Sequence, residues 1–459
     1  MEKILKTVLK KITPTQKEIS EQKKFAQLII SRIMKIPGKH QKAELVGSIG
    51  RSTHLAGDND IDIFVFFPEE LSREEFEKEG IRIGKAIFKG ENWETAYSEH
   101  PYIRGTIGKY DVEIVPAYNV LDPKNMKSAV DRSPFHNQYI ISQMISGQEQ
   151  QVRLLKQFMK GIKCYGADLS SNGFPGYVAE ILILKYGNFE KCIQEAAQWK
   201  EKQVVDLANY YTKEGAEHKF NTHFVVVDPV DKNRNVAAAL SLNQYARFIA
   251  AARAFLEKPS FNFFFPKNHK PWSTAALKKF LKKTELTAIH LGYPKGAVED
   301  VMWGSLRRLG AKIATQTQGA GFIVKRSSQW LEHPKHMAII LELESTKLNS
   351  VKVITGPSVM DSNNSMSFIK SHPHPLSGPR IENGRWVLEI EREHTQISQF
   401  LTHLFKKLKK EEKELIKKAI SQRFQILNEK SIIGLYKKNK NFSSFLTAYL
   451  KGKEEFLER

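Results

Sequence analysis

Cysteine is almost missing from this sequence. Cys164 and Cys192 are the only two among 459 residues, and they form no CxxC pair. A zinc knuckle and a disulfide framework are therefore not expected, and a reduced, cytoplasmic protein is. Long apolar runs are missing too. The longest mostly apolar stretch, "IDIFVFF", falls far short of the ~20 residues a spanning helix needs, so no membrane partner is expected. The N-terminus, "MEKILKTVLKK", is charged and amphipathic and lacks the apolar core and cleavage site of a signal peptide. There is no GK[ST] P-loop, and "GAGF" at Gly319 does not continue into a dinucleotide fingerprint. Acidic residues are in deficit: 50 Asp plus Glu face 71 Lys plus Arg, a net charge of +21. That excess favours a polyanion such as nucleic acid, and the 27 Phe, 14 Tyr and 6 Trp can offer stacking surfaces to bases.

What is present reads as a multidomain α+β chain, since its length suggests two to four domains at roughly 100–200 residues each. "ITPTQKEISEQKKFAQLIISRIMKIPG" predicts a helix with Thr13 as N-cap. "AELVGS" is a short strand entering a turn, and "DIDIFVFFP" is a β-rich strand stopped by Pro68. "SREEFEKEGIRIGKAIF" is a helix capped by Ser72, and "TIGKYDVEIVPAY" is a hairpin and strand. Residues 1–145 thus alternate helix and strand. Residues 146–258 carry mostly helical spacing. "SFNFFFPKNHKPW" then reads as a linker into an α+β region over 259–459. There, "IENGRWVLEIERE" should turn at Asn383-Gly384, and "FLTHLFKKLKKEEKELIKKAISQRF" should be one lysine-rich helix.

The chemistry concentrates in "GSIGRSTHLAGDNDIDIFVF". Side chains at i and i+2 of a strand share a face, so Asp60 and Asp62 project together while Ile61 and Ile63 face the core. Two convergent carboxylates repel unless a cation lies between them, and hard divalent ions such as Mg²⁺ take such oxygen ligands. "YDVEIVPAY" offers Asp111 and Glu113 as the source of a third carboxylate. Three carboxylates on adjacent strands can hold two metal ions roughly 3.5–4 Å apart. Upstream, Gly47 permits a tight turn, and Ser48 and Arg51 can meet a phosphate.

A Gly-Ser turn, an Asp-x-Asp strand and a later carboxylate strand resemble the polymerase-β-like nucleotidyltransferase superfamily. "SEHPYIRG", "KNMKSAVDRSPFHN", "VRLLKQFMKGIKCYGA", "GFPGYVAEILILKYG" and "VVDPVDKNRNVAAALS" extend the likeness to the archaeal-type (class I) CCA-adding enzymes. These blocks run in order over nearly the whole chain. The other class of the same activity carries an arginine soon after its DxD and an EDxxR motif. "DIDIF" lacks that arginine, and Glu299-Asp300 is followed by "VMW".

The resemblance implies a nucleotidyltransferase head (1–145), a helical neck (146–258) and an α+β body and tail (259–459). It implies template-free addition of CCA to tRNA from CTP and ATP with Mg²⁺, pyrophosphate leaving, and contact with the tRNA acceptor arm. Asp60, Asp62 and Glu113 would bind metal, Glu113 standing where the family usually has Asp. Ser48, Arg51, Lys156 and Tyr165 would meet the triphosphate, and Arg234 the base. His100 and His136 would lie close by. A homodimer stays open. The rival readings are a poly(A) polymerase-like terminal transferase and a non-catalytic RNA-binding relative.

Overall fold

The computed structural model describes residues 1–97, 99–267 and 270–457. It divides into two compact units, Met1–Lys267 with Glu454–Arg459, and Asn268–Lys453. In the first unit, five strands form a sheet in the order β1-β2-β5-β4-β3: β1 (Lys42–Val46), β2 (Asp60–Phe67), β3 (Asn92–Tyr97), β4 (Pro101–Ile107) and β5 (Tyr110–Tyr118). Only the β2–β5 pair is parallel. Period-two alternation sorts β2 as expected. Ile61, Ile63, Val65 and Phe67 are buried in one core with Ile29 and Ile33 of the Gln16–Met34 helix and Phe76 and Ile83 of the Arg73–Ile87 helix. Asp60 and Asp62 stand on the opposite face, beside a smaller cluster around Phe64, Phe66 and Val115.

Ser72 caps the Arg73–Ile87 helix by accepting from Glu75 N, as expected. The first long helix starts differently. Thr15, not Thr13, accepts from Glu18 N, and Thr13 instead ends a separate helix, Glu2–Ile12.

The rest of this unit packs the helices Gln148–Gly161, Gly176–Tyr186, Phe189–Gln198 and Leu242–Glu257 around a phenylalanine core. Phe158 meets Phe189, Phe248, Phe255, Phe263 and Phe264 at ring distances of 5.4–6.1 Å. The stretch expected to be a linker therefore begins inside a core, and its residues 268–269 lie outside the described residues. This region is not all helical. β6 (Gln203–Val205), β7 (Phe224–Asp228) and β8 (Asp231–Asn235) make a small sheet. β8, "DKNRN", carries no apolar alternation and is held by its backbone pairing to β7.

The second unit holds two sheets. One has the order β10-β11-β9-β15, from β9 (Glu285–Gly292), β10 (Val324–Glu332), β11 (His336–Leu343) and β15 (Phe424–Leu427). The other has the order β12-β14-β13, from β12 (Val351–Ser358), β13 (Ser377–Glu382) and β14 (Arg385–Glu391). Asn383 and Gly384, both at positive φ, make the expected turn between β13 and β14. The lysine-rich stretch is two helices, Ile397–Glu411 and Glu414–Gln422, broken where Glu412 and Lys413 become extended. Among the described residues, no helix is long and apolar enough to cross a membrane.

Candidate active site

The parallel register sets Asp60 opposite Asp111 and Asp62 opposite Glu113. All four line one cavity of about 820 Å³, together with Gly47, Ser48, Arg51, Gly176 and Tyr177. Asp111 is exposed and accepts from Thr106 Oγ1 at 3.0 Å. Glu113 sits deeper, with the Tyr102 hydroxyl donating to it at 3.4 Å. Burial, then Glu113 and Asp60, push the Asp62 carboxyl up to about 7, although Arg51 pulls the other way. Burial, then Asp58 and Asp111, raise Asp60, and burial raises Glu113 despite Arg104 nearby. A carboxylate set this crowded is the donor set a hard divalent cation takes, and bound charge would relieve the repulsion. Asp60, Asp62 and Glu113 thus fit a metal site.

Gly47 is what lets the turn approach. Its φ is +73°, and an added Cβ would lie 1.9 Å from Asp62 Oδ2. The chain then makes the short helix Gly47–Gly50 and delivers Arg51. Arg51 does not simply point into the cavity. Its Nε lies 3.0 Å from Glu180 Oε2, and Glu180 is fully buried. Glu180 also accepts from Thr53 Oγ1 at 2.5 Å and from Lys156 Nζ at 3.4 Å. Lys156 further donates to Thr53 O and Oγ1 at 3.2 and 3.1 Å. Burial would raise Glu180, but Arg51 and then Lys156 hold it below the usual carboxylate range.

One face of the Gln148–Gly161 helix grips the loop after the turn. Arg153 donates to His54 O at 2.8 Å and to Ser52 O at 2.6 Å, and Lys160 pairs with Asp58 at 3.2 Å. Arg153, Lys156 and Lys160 stand at the spacings of three and four that share a helical face.

A second cavity of about 470 Å³ adjoins the carboxylates, and Arg51, Asp62, Glu113, His136, Tyr177 and Arg234 are among its lining. Asp228, fully buried, organises it. His136 Nε2 lies 2.8 Å from Asp228 Oδ2, and Arg234 donates to the same oxygen at 2.9 Å. His136 stacks on Tyr177 with ring centroids 4.0 Å apart, and burial keeps its pKa below the usual histidine value. Arg132 takes the other acid of that loop, Asp231, at 2.8 Å.

Seven of the expected residues therefore come together: Asp60, Asp62, Glu113, Ser48, Arg51, His136 and Arg234. Lys156, Tyr165 and His100 line neither cavity. Lys156 and Tyr165 pack beside Gly176, where a Cβ would meet the Tyr165 hydroxyl at 2.8 Å. His100 is buried with its ring edge-on to Phe76 at 5.0 Å. Sequence reasoning missed Glu180, Asp228 and Tyr177 as site residues. Glu180 had a signal, a lone carboxylate in the apolar run "YVAEILIL" that had to find a partner once buried.

Comparison with known proteins agrees along the chain. Residues 28–136 match the nucleotidyltransferase domain, 150–265 the second domain of tRNA nucleotidyltransferase and 282–429 the C-terminal domain of CCA-adding enzyme. The chain is 37% identical to a CCA-adding enzyme of Methanosarcina mazei, over 84% of this chain and 86% of that one. It is 34% identical to one of Methanosarcina acetivorans, over 96% and 97%. It is 35% identical to one of Archaeoglobus fulgidus, over 84% and 85%. Among solved structures, a poly(U) polymerase is 13% identical with a TM-score of 0.45, over 57% of this chain and 96% of that one.

Proposed function

The chain belongs to the archaeal-type CCA-adding enzymes, tRNA nucleotidyltransferases that complete the tRNA 3′ end without a nucleic-acid template, and from that premise we propose how its residues divide the work. CTP and ATP are the substrates, and pyrophosphate leaves. The observation that carries this reading is the set Asp60, Asp62 and Glu113 in register on one cavity wall. These three would hold Mg²⁺. When bound, Mg²⁺ supplies electrostatic stabilisation of the phosphoryl group and favours deprotonation of the attacking 3′-hydroxyl.

The Ser48 hydroxyl and the Arg51 guanidinium, on the same wall, orient the triphosphate. Lys156 contributes through Glu180, which it shares with Arg51. Tyr165 closes that side, and His100 supports the sheet. Arg234 meets the Watson–Crick edge of the incoming base, held in place with His136 by Asp228. A guanidinium has only donors. Cytosine and adenine present ring acceptors to it, whereas uracil and guanine present a ring N–H. An unpaired buried donor costs about 1–3 kcal/mol, enough for roughly ten- to hundred-fold discrimination. The second unit reads the acceptor arm by shape and phosphates, as duplex RNA generally is read. The enzyme works in the cytoplasm.

The test is incubation of tRNA lacking CCA with each nucleoside triphosphate alone and in pairs. CTP alone should add two residues, and CTP with ATP should add three and stop. Continued addition of A would favour a poly(A)-type transferase.

A further inference from the structure

In the second unit, well away in sequence from the catalytic carboxylates, Glu393, His394 and His403 bring one ligand atom each to within 4.8 Å of one another. His394 Nε2 lies 3.5 Å from Glu393 Oε1, and His403 Nδ1 lies 3.9 Å from that same oxygen. Two ligands at about 2.1 Å from a tetrahedral zinc stand roughly 3.4 Å apart, so small rotations of these side chains close on one ion.

Two further features point to a ligand. His394 Nε2 is buried without a hydrogen-bond partner, an arrangement that costs free energy unless something binds it. The three side chains also open onto a cavity of about 720 Å³, with Gln316 and Phe400 on its wall.

The backbone is already set. Arg392 N donates to Ser350 O at 2.7 Å, and Leu348 N donates to Thr395 O at 2.8 Å, so the Glu393-His394 segment is pinned on both sides. His403 rides the Ile397–Glu411 helix, whose Leu401, Leu404 and Phe405 are buried. Glu393 and His403 are both exposed, so their side chains have room for those small rotations.

The surroundings decide the class of ion. Lys352, Arg392 and Lys407 line the same cavity. A hard cation held mainly by charge is disfavoured among them. A late first-row divalent ion, bound covalently by imidazole nitrogen, tolerates them better. We propose that Glu393, His394 and His403 form a zinc-class metal site, one carboxylate and two imidazoles with a further position left to water, that ties the end of β14 to the following helix.

The experiment is titration of untagged full-length protein with Zn²⁺ by calorimetry in excess Mg²⁺, which occupies carboxylate-only sites. Co²⁺ is used in parallel for its visible spectrum. One site should appear in the wild type, with Co²⁺ bands typical of nitrogen ligation. The exposed His403→Ala should lose that site while its melting curve without metal stays unchanged. Glu393→Gln should weaken it. Absence of Zn²⁺ uptake by the wild type would overturn the proposal, as would equal uptake by the wild type and His403→Ala.

Discussion

Arg51 Nε lies 3.0 Å from Glu180 Oε2, so an arginine of the Gly-Ser turn is anchored by a carboxylate with no solvent exposure. The same carboxylate neutralises the buried Lys156. Removing one partner of a buried ion pair strands the others and costs on the order of 3–5 kcal/mol. Glu180→Ala should therefore lose about that much stability in urea unfolding. Glu180→Gln, if it folds, should raise KM for CTP and ATP alike, because the triphosphate is common to both. A loss under about 1 kcal/mol for Glu180→Ala would deny this carboxylate its role, since surface changes cost about that little.

Gly47→Ala should damage catalysis more than folding. The left-handed φ of +73° costs a non-glycine residue about 1–2 kcal/mol. The added Cβ must also displace the Asp62 carboxylate from 1.9 Å away. A kcat close to wild type beside a lowered melting temperature would show that the Asp62 position is not critical.

The third carboxylate is Glu113 in this account, opposite Asp62 and partly buried, while Asp111 is exposed and accepts from Thr106. Glu113→Gln should cost far more activity than Asp111→Asn in side-by-side kinetics. The opposite ranking would move the third ligand two residues back along β5, to Asp111.

How far the sequence announced these features depends on the length of the signal. Asp60 and Asp62 were legible because polar and apolar residues alternate from Asp60 to Ile63 at the start of β2, before its continuous apolar run. Ser72 was legible because an acidic first turn follows it. The small sheet was not, since β6 has three residues and β8 has no apolar side. The break at Glu412-Lys413 carries neither glycine nor proline, and the apolar spacing runs on through it. Asp228 could be suspected as a partner of Arg234, but only the fold shows that His136, from a distant helix, shares the same oxygen.

Arg234 is held by Asp228 at 2.9 Å, which leaves its remaining donors for a base. Arg234→Ala should lose discrimination against UTP and GTP more than it loses transfer. UTP misincorporation measured beside a thermal melt separates this from a purely structural ion pair, for which stability would fall and selectivity would stay.

The second unit should carry a pH signature. Burial, then Arg423 and His336, depress His290 from 6.5 to about 4. The unfolded chain therefore binds that proton more readily than the folded one. The stability from neutral His290 is fully present above pH 6.5 and is lost as pH falls from there toward 4. Unfolding midpoints of wild type and His290→Gln should converge over that window. Parallel curves would contradict the assignment.

The central claim is that Asp60, Asp62 and Glu113 carry the chemistry, and the most direct measurement is nucleotide incorporation by Asp62→Ala on tRNA lacking CCA, with tRNA affinity measured alongside. The account predicts that addition of both C and A is abolished while tRNA still binds. Retained CTP addition by this variant would contradict it.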